Sequence, residues 1–210
     1  QIVSMLLAGN AVVLKPPESC PLALIKAIEL FAAKLPKGLV NLITGMPAEI
    51  GDRLTTHPDV AKIGFTGSIA SAKTIMANAA QSIKGVTLEL GGNDPALILD
   101  DFVITEPAMD RMAGAVFRMT GQVCMAIKRV YVPEKMYPGF VEAFARAADK
   151  VVVGDGLEPK VTMGPLHTEK GLARAQGFVD DAKRRGAKVR ELGQIDDAKA
   201  FERGWFMRPA

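Results

Sequence analysis

The sequence predicts an α/β fold, with parallel strands joined by crossover helices, and three observations lead there. Through the first half, short β-branched runs alternate with longer segments of helical periodicity. Two of those runs close on a glycine, Gly45 and Gly67, shortly before a helical pattern begins. The run Gly91-Gly92-Asn93-Asp94-Pro95 then breaks the chain sharply before a further strand, and this break is read as a domain boundary that separates residues 1–90 from 91–210.

Each element follows from its residues. Ala11 to Leu14 reads as a strand. Ser19 is placed to cap the next helix, with Pro21 in its first turn, and Leu24, Ile25, Ile28, Phe31, Ala32 and Leu35 recur at spacings of three and four. Pro36 and Gly38 end that helix, and Leu39 to Thr44 forms the next strand. A short helix at Ile50 to Thr55, a strand at Lys62 to Phe65, a helix from Ala70 to Ala80 and a strand at Val86 to Leu90 complete the first part. Beyond the break, Ala96 to Leu99 reads as a strand. Met109, Met112, Ala113, Val116 and Phe117 fit an amphipathic helix, with the methionines as core filler. Val130 to Val132 is a strand, Pro138 to Val151 a helix in which Glu142 and Arg146 are spaced to pair, Thr168 to Arg185 a helix, and a strand follows near Val189.

Composition narrows the function classes. With 49% hydrophobic and 23% charged residues, the 210-residue chain reads as a soluble globular protein of one large or two modest domains. The formal charge of +3 comes from scattered basic residues, which argues against a nucleic-acid partner. No apolar run reaches the roughly 18 residues of a membrane span. The chain starts at Gln1, so an N-terminal signal is not excluded. Two distant cysteines, Cys20 and Cys124, and two loop histidines, His57 and His167, supply neither a disulfide framework nor the three or four convergent ligands of a metal site, and a reducing, cytoplasmic compartment is expected.

Four stretches carry chemistry. In "AVVLKPPES", Lys15 and Glu18 follow the C-terminal end of a strand, where open α/β sheets bind ligands. Glu18 is suited to accept hydrogen bonds from nucleotide ribose hydroxyls and to repel a phosphate there, which favours NAD over NADP; a surface ion pair is the alternative. In "KIGFTGS", Gly67 and Ser68 lead into a helix whose free amides suit a pyrophosphate, although a plain tight turn fits as well and the G-x-G-x-x-G fingerprint is absent. In "TLELGGN", Glu89 lies late in an apolar strand, so it faces solvent or acts as a general base with a raised pKa. In "MTGQVCMAIK", Cys124 follows a glycine break and is either a small buried residue or a nucleophile. If a helix starts near Val123, its free amides would stabilise a thiolate or serve as oxyanion donors; Cys20, at a helix start, competes for the same role.

Taken together and in this order, "GNAVVLKP", "FTGS", "LELGGN" and "GQVC" resemble the aldehyde dehydrogenase superfamily across nearly the whole chain, and "GLVNLITG", "HPDVAKIGFTGS", "VVVGDGLEP" and "MGPL" extend the likeness. The resemblance implies a Rossmann-like parallel-sheet cofactor domain, residues 1–90, followed by part of a second α/β catalytic domain, residues 91–210. It implies Cys124 as nucleophile and Glu89 as general base, Lys15 and Glu18 on the adenosine ribose, Gly67 and Ser68 at the pyrophosphate, and the Leu90 carbonyl near the nicotinamide. The implied reaction is NAD(P)-dependent oxidation of a small-molecule aldehyde to a carboxylic acid through a cysteine thiohemiacetal and thioester, in a parent that is a homodimer or homotetramer. Glu89 favours hydrolysis over acyl transfer to coenzyme A; a CoA-acylating dehydrogenase and a non-catalytic scaffold of the same fold are the rivals. Ile69 and Ala72 depart from the threonine and glycine common in the family. An upstream Trp-Asn-Phe-Pro type segment and a downstream Glu-x-Phe-Gly-Pro type segment are also missing. The chain is therefore expected to be a central piece of a larger protein that binds cofactor poorly and turns over little on its own.

Overall fold

A computed structural model describes residues 1–210, and by its internal contacts the chain forms two compact units, Gln1–Leu90 and Gly91–Ala210. All the strand pairs in both are parallel, as an α/β chain with crossover helices requires. No helix is long and apolar enough to cross a membrane.

In the first unit, helix α1 (Ile2–Leu7) precedes β1 (Val12–Leu14), α2 (Leu22–Ala32), β2 (Val40–Leu42), a π-type turn at Pro47–Gly51, α3 (Asp52–Thr56), β3 (Lys62–Gly67), α4 (Ile69–Ala80) and β4 (Gly85–Leu90). Strands β1 and β2 pair, as do β3 and β4, where Thr66 lies opposite Glu89 and Gly67 opposite Leu90. Helix α4 buries Ala72 and Ala79, seven residues and two turns apart on one face, and their small side chains let the helix lie close to its neighbours. Asn78 on α4 donates to Asp52 Oδ1 and Thr55 Oγ1 of α3, each at 2.9 Å, which fixes that pair of helices. The expected cap of α2 is corrected: Pro21 occupies the N-cap with no side-chain bond, because its fixed φ already suits a helix start, and Ser19 lies two residues before that position.

In the second unit the order is β5 (Asp94–Leu97), α5 (Glu106–Phe117), a tight turn at Arg118–Gly121, β6 (Ile127–Tyr131), α6 (Tyr137–Asp149), β7 (Val152–Val153), α7 (Glu169–Arg184), β8 (Gln194–Ile195) and α8 (Ala198–Arg203). The core lies between α5 and α6: Met109 and Ala113 pack with Phe140, Ala143 and Ala147, and Phe117, Phe144 and Val130 close the rim. Met109 is thus core filler, as its spacing predicts, and Phe140 stacks on Phe144 with 6.4 Å between centroids.

Three expectations are corrected in this unit. Strand β5 already begins at Asp94, inside the stretch read as a break, because Pro95 sits at an irregularity of the register where its missing N–H is tolerated. Glu142 pairs with Arg190 rather than Arg146; the guanidinium fork from outside the helix makes two bonds where a helical neighbour offers one. Val189 lies in no strand, because its neighbours are engaged elsewhere, Arg190 on Glu142 and Leu192 N–H on the Pro209 carbonyl, and pairing with β7 falls to Gln194 and Ile195.

Candidate active site

In the first unit, Lys15 and Glu18 sit just past β1. Lys15 Nζ donates to the Pro16 carbonyl at 3.0 Å and to Glu18 Oε2 at 3.3 Å, so the ion pair forms. Hydrogen bonding to its own backbone, and then Lys15, hold the Glu18 carboxyl below the usual carboxylate range, leaving it an ionised, acceptor-only group near neutral pH. Glu18 also lines a cavity of about 250 Å³ with Pro16, Pro17, Pro21, Met46 and Glu49. The pairing uses one carboxylate oxygen, and the cavity has apolar walls with carboxylates set into them.

Ser68 is the N-cap of α4; its hydroxyl accepts from Ser71 N–H at 3.1 Å. The N–H groups of Ile69 and Ala70 have no acceptor, so two amide donors remain at the positive end of a 12-residue helix. Gly67 has a local reason to be glycine: a Cβ there would lie 2.5 Å from Cζ of Phe65, on the same face of β3. Glu89 is on the exposed face of β4 with Thr87, while Leu88 and Leu90 are on the half-buried face.

The second unit carries Cys124 on an exposed turn, which removes the reading of a buried apolar cysteine; Cys20 is exposed as well. The condition of a helix at Val123 is not met, because residues 123–126 close a turn through Ala126 N–H to the Val123 carbonyl (3.1 Å) and enter β6 at once. A helix dipole is therefore not what acts on this thiol. The turn is instead braced on several sides. Before it, Met119, Thr120 and Gly121 all take positive φ, +49°, +60° and +68°, a left-handed run that only glycine enters without strain. Thr120 Oγ1 donates to the Pro165 carbonyl (3.1 Å), and Gln122 Oε1 accepts from His167 N–H (3.1 Å), so the "MGPL" stretch serves as a strap on this approach.

After the turn, Lys128 Nζ donates to the carbonyls of Val123 (3.1 Å), Cys124 (2.9 Å) and Ala126 (2.8 Å). Arg129 Nε donates to the Asn93 carbonyl at 2.9 Å. A Cβ on Gly92 would lie 3.5 Å from the Cys124 carbonyl oxygen, so Gly92 runs close beside the cysteine turn. Sequence reasoning missed Thr120, Gln122, Lys128 and Arg129 as supports. The signal available was the basic pair at the start of β6, whose alternation sends one side chain back under the turn and the other toward Asn93.

The profile described as "Aldehyde dehydrogenase family" matches residues 1–210. The mitochondrial succinate-semialdehyde dehydrogenase of Arabidopsis thaliana is 43% identical over 185 residues, which are 88% of this chain and 35% of that protein. A betaine aldehyde dehydrogenase of Vibrio vulnificus is 37% identical over 205 residues, 97% of this chain and 42% of that one. Among solved structures, a mutant aldehyde dehydrogenase C from Pseudomonas syringae, complexed with NAD+ and octanal, superposes with a TM-score of 0.90 at 33% identity over 100% of this chain and 43% of its own. The chain spans about two-fifths of the length of the relatives it matches.

Proposed function

The chain belongs to the aldehyde dehydrogenase family, and from that premise we propose that the protein containing it oxidises an aldehyde to the carboxylic acid with NAD+, or NADP+, as hydride acceptor. The residues present fit such a cofactor. The cavity of about 250 Å³ beside the ionised Glu18 suits one nucleoside, and the unpaired amides of Ile69 and Ala70 beside Ser68 suit a pyrophosphate. Lys15 and Glu18 are assigned to the adenosine ribose, Gly67 and Ser68 to the pyrophosphate approach, and the Leu90 carbonyl to the nicotinamide.

Cys124 is assigned as the nucleophile, with Sγ adding to the aldehyde carbon. When bound, the nicotinamide supplies the acceptor for the hydride whose departure leaves a thioester on Cys124. Glu89 takes a proton from the water that cleaves the thioester, releasing the acid and restoring the thiol. The single observation that carries this reading is the exposed cysteine on a turn braced by Thr120, Gln122 and Lys128, more support than a bystander thiol needs. A homodimer or homotetramer in the cytoplasm completes the proposal, checked by light scattering and fractionation.

The test is NADH or NADPH formation by the full-length protein from succinate semialdehyde and betaine aldehyde, the substrates named for its relatives. Cys124→Ala should abolish it, and Glu89→Gln should leave one turnover of acylation while stopping hydrolysis. Turnover that survives Cys124→Ala would falsify the assignment. An acyl-CoA product that needs coenzyme A and is indifferent to Glu89→Gln replaces it with acyl transfer.

A further inference from the structure

We propose that Lys128 is a positioning residue that aims the backbone N–H groups of Cys124 and Met125 at the oxygen of the carbonyl that Cys124 attacks. The inference rests on Cys124 being the nucleophile. An ammonium has three N–H donors and no acceptor, and here all three are used on one turn: the Val123, Cys124 and Ala126 carbonyls lie 3.1, 2.9 and 2.8 Å from Nζ. Charge-assisted bonds of this kind are stronger than neutral ones, and three from one atom fix the peptide planes and not merely the path of the chain.

In a planar trans peptide, C=O and the following N–H point in opposite directions. Turning the Val123 carbonyl onto Nζ therefore turns the Cys124 N–H away from it, and turning the Cys124 carbonyl does the same for Met125. Neither N–H has an acceptor in the protein. The turn thus presents two consecutive amide donors on the side away from Lys128, flanking the residue whose sulfur attacks. An oxyanion forming on the attacked carbonyl needs such donors, already oriented. Without the ammonium, those two peptide planes lose the bonds that orient them; Ala126 N–H still holds the Val123 carbonyl, but nothing holds that of Cys124.

The test compares two reactions of the same thiol in this 210-residue chain, with Cys20→Ser so that one thiol reports. Alkylation by iodoacetamide passes through no oxyanion, whereas acylation by p-nitrophenyl acetate passes through a tetrahedral one and requires no cofactor. Lys128→Met is expected to slow acylation by about 10-fold or more, short of the roughly 100-fold that accompanies outright removal of an oxyanion donor, while alkylation stays within about 2-fold. Lys128→Arg, which restores cationic donors under the turn, should recover most of the loss. Equal slowing of both reactions, or no slowing of acylation, overturns the proposal. Should Lys128→Met not fold, Lys128→Gln carries the same comparison, since it keeps a donor amide but loses the charge and one N–H. A wild-type full-length protein that oxidises no aldehyde overturns the dehydrogenase assignment instead and leaves this ratio to be judged by itself.

Discussion

Replacing Gly121 with alanine probes the left-handed run that leads to Cys124. Gly121 has φ +68°, and the two residues before it, Met119 and Thr120, occupy the same region without glycine's exemption. A Cβ at position 121 would find only the Val116 carbonyl oxygen, at 3.5 Å, which is ordinary contact, so the effect is torsional and not steric. Left-handed φ costs an L-residue roughly 1–2 kcal/mol. Removing glycine's extra freedom from the unfolded chain returns about 0.4–1 kcal/mol. The balance is a net loss of about 1 kcal/mol, or about 2–4 °C in midpoint for a chain of this size. Trp205, the single tryptophan, reports on the second unit, and its carbonyl accepts from Leu166 N–H within the strap. Its fluorescence therefore follows this unit without mixing in the first. Gly121→Asn is the control: asparagine tolerates the left-handed region, so it should lose about half as much as alanine. Alanine that unfolds no earlier than wild type, or asparagine no better than alanine, refutes the claim that φ at this position matters.

Four further variants test the same structure. Met109→Ala removes a side chain that is 1% exposed and is walled by Ala113, Phe140, Ala143 and Ala147; a loss of about 3 kcal/mol is expected in urea unfolding followed by Trp205. Ser68→Ala should cost α4 about 1 kcal/mol as its cap to Ser71 N–H is lost. Ser68→Asp should keep the cap but weaken NAD+ binding by the full-length protein in equilibrium dialysis, and unchanged binding counts against the pyrophosphate assignment. Hydrogen bonding from Arg190 and its charge depress the Glu142 pKa in the folded state. The stabilisation is therefore present above the unfolded value of about 4.3 and is lost as pH falls through the lower folded value. Glu142→Gln should flatten the acid side of the stability profile, with wild type and variant converging at the lowest pH.

Much of the fold was legible because its elements are periodic and punctuated. The 3.6-residue stripe at Met109 to Phe117 lies inside the observed helix, and the helices read from Ala70 and Thr168 begin within a residue of the observed starts, while the caps Ser68 and Thr168 provide went unread. Elements of two to six residues, such as β7, β8, α1 and α8, were missed because they are too short to show a period, and β7 and β8 exist through pairing with residues some forty positions away. Ion pairs were read locally, so Glu142 was assigned to its helical neighbour when the better partner lay 48 residues on. For the candidate site, residue types alone left Cys124 in competition with Cys20 and Glu89 open to a solvent-facing reading; the family resemblance singled out Cys124, Glu89, Lys15, Glu18, Gly67, Ser68 and Leu90. The absence of a helix at Val123, and the supports that replace it, depended on backbone angles and long-range carbonyl contacts that no pattern of side-chain types encodes.

The strap from Thr120 and Gln122 to Pro165 and His167 joins residues 45 apart in the chain, and this separation sets a timetable. At roughly 5–20 residues per second of synthesis, the partners of the left-handed run follow it by about 2–9 s. Met119 and Thr120 have no reason to hold positive φ in that interval, so the nascent segment relaxes into common backbone conformations. In the newly made chain the approach to Cys124 therefore takes its left-handed path only after the strap has been translated and has docked.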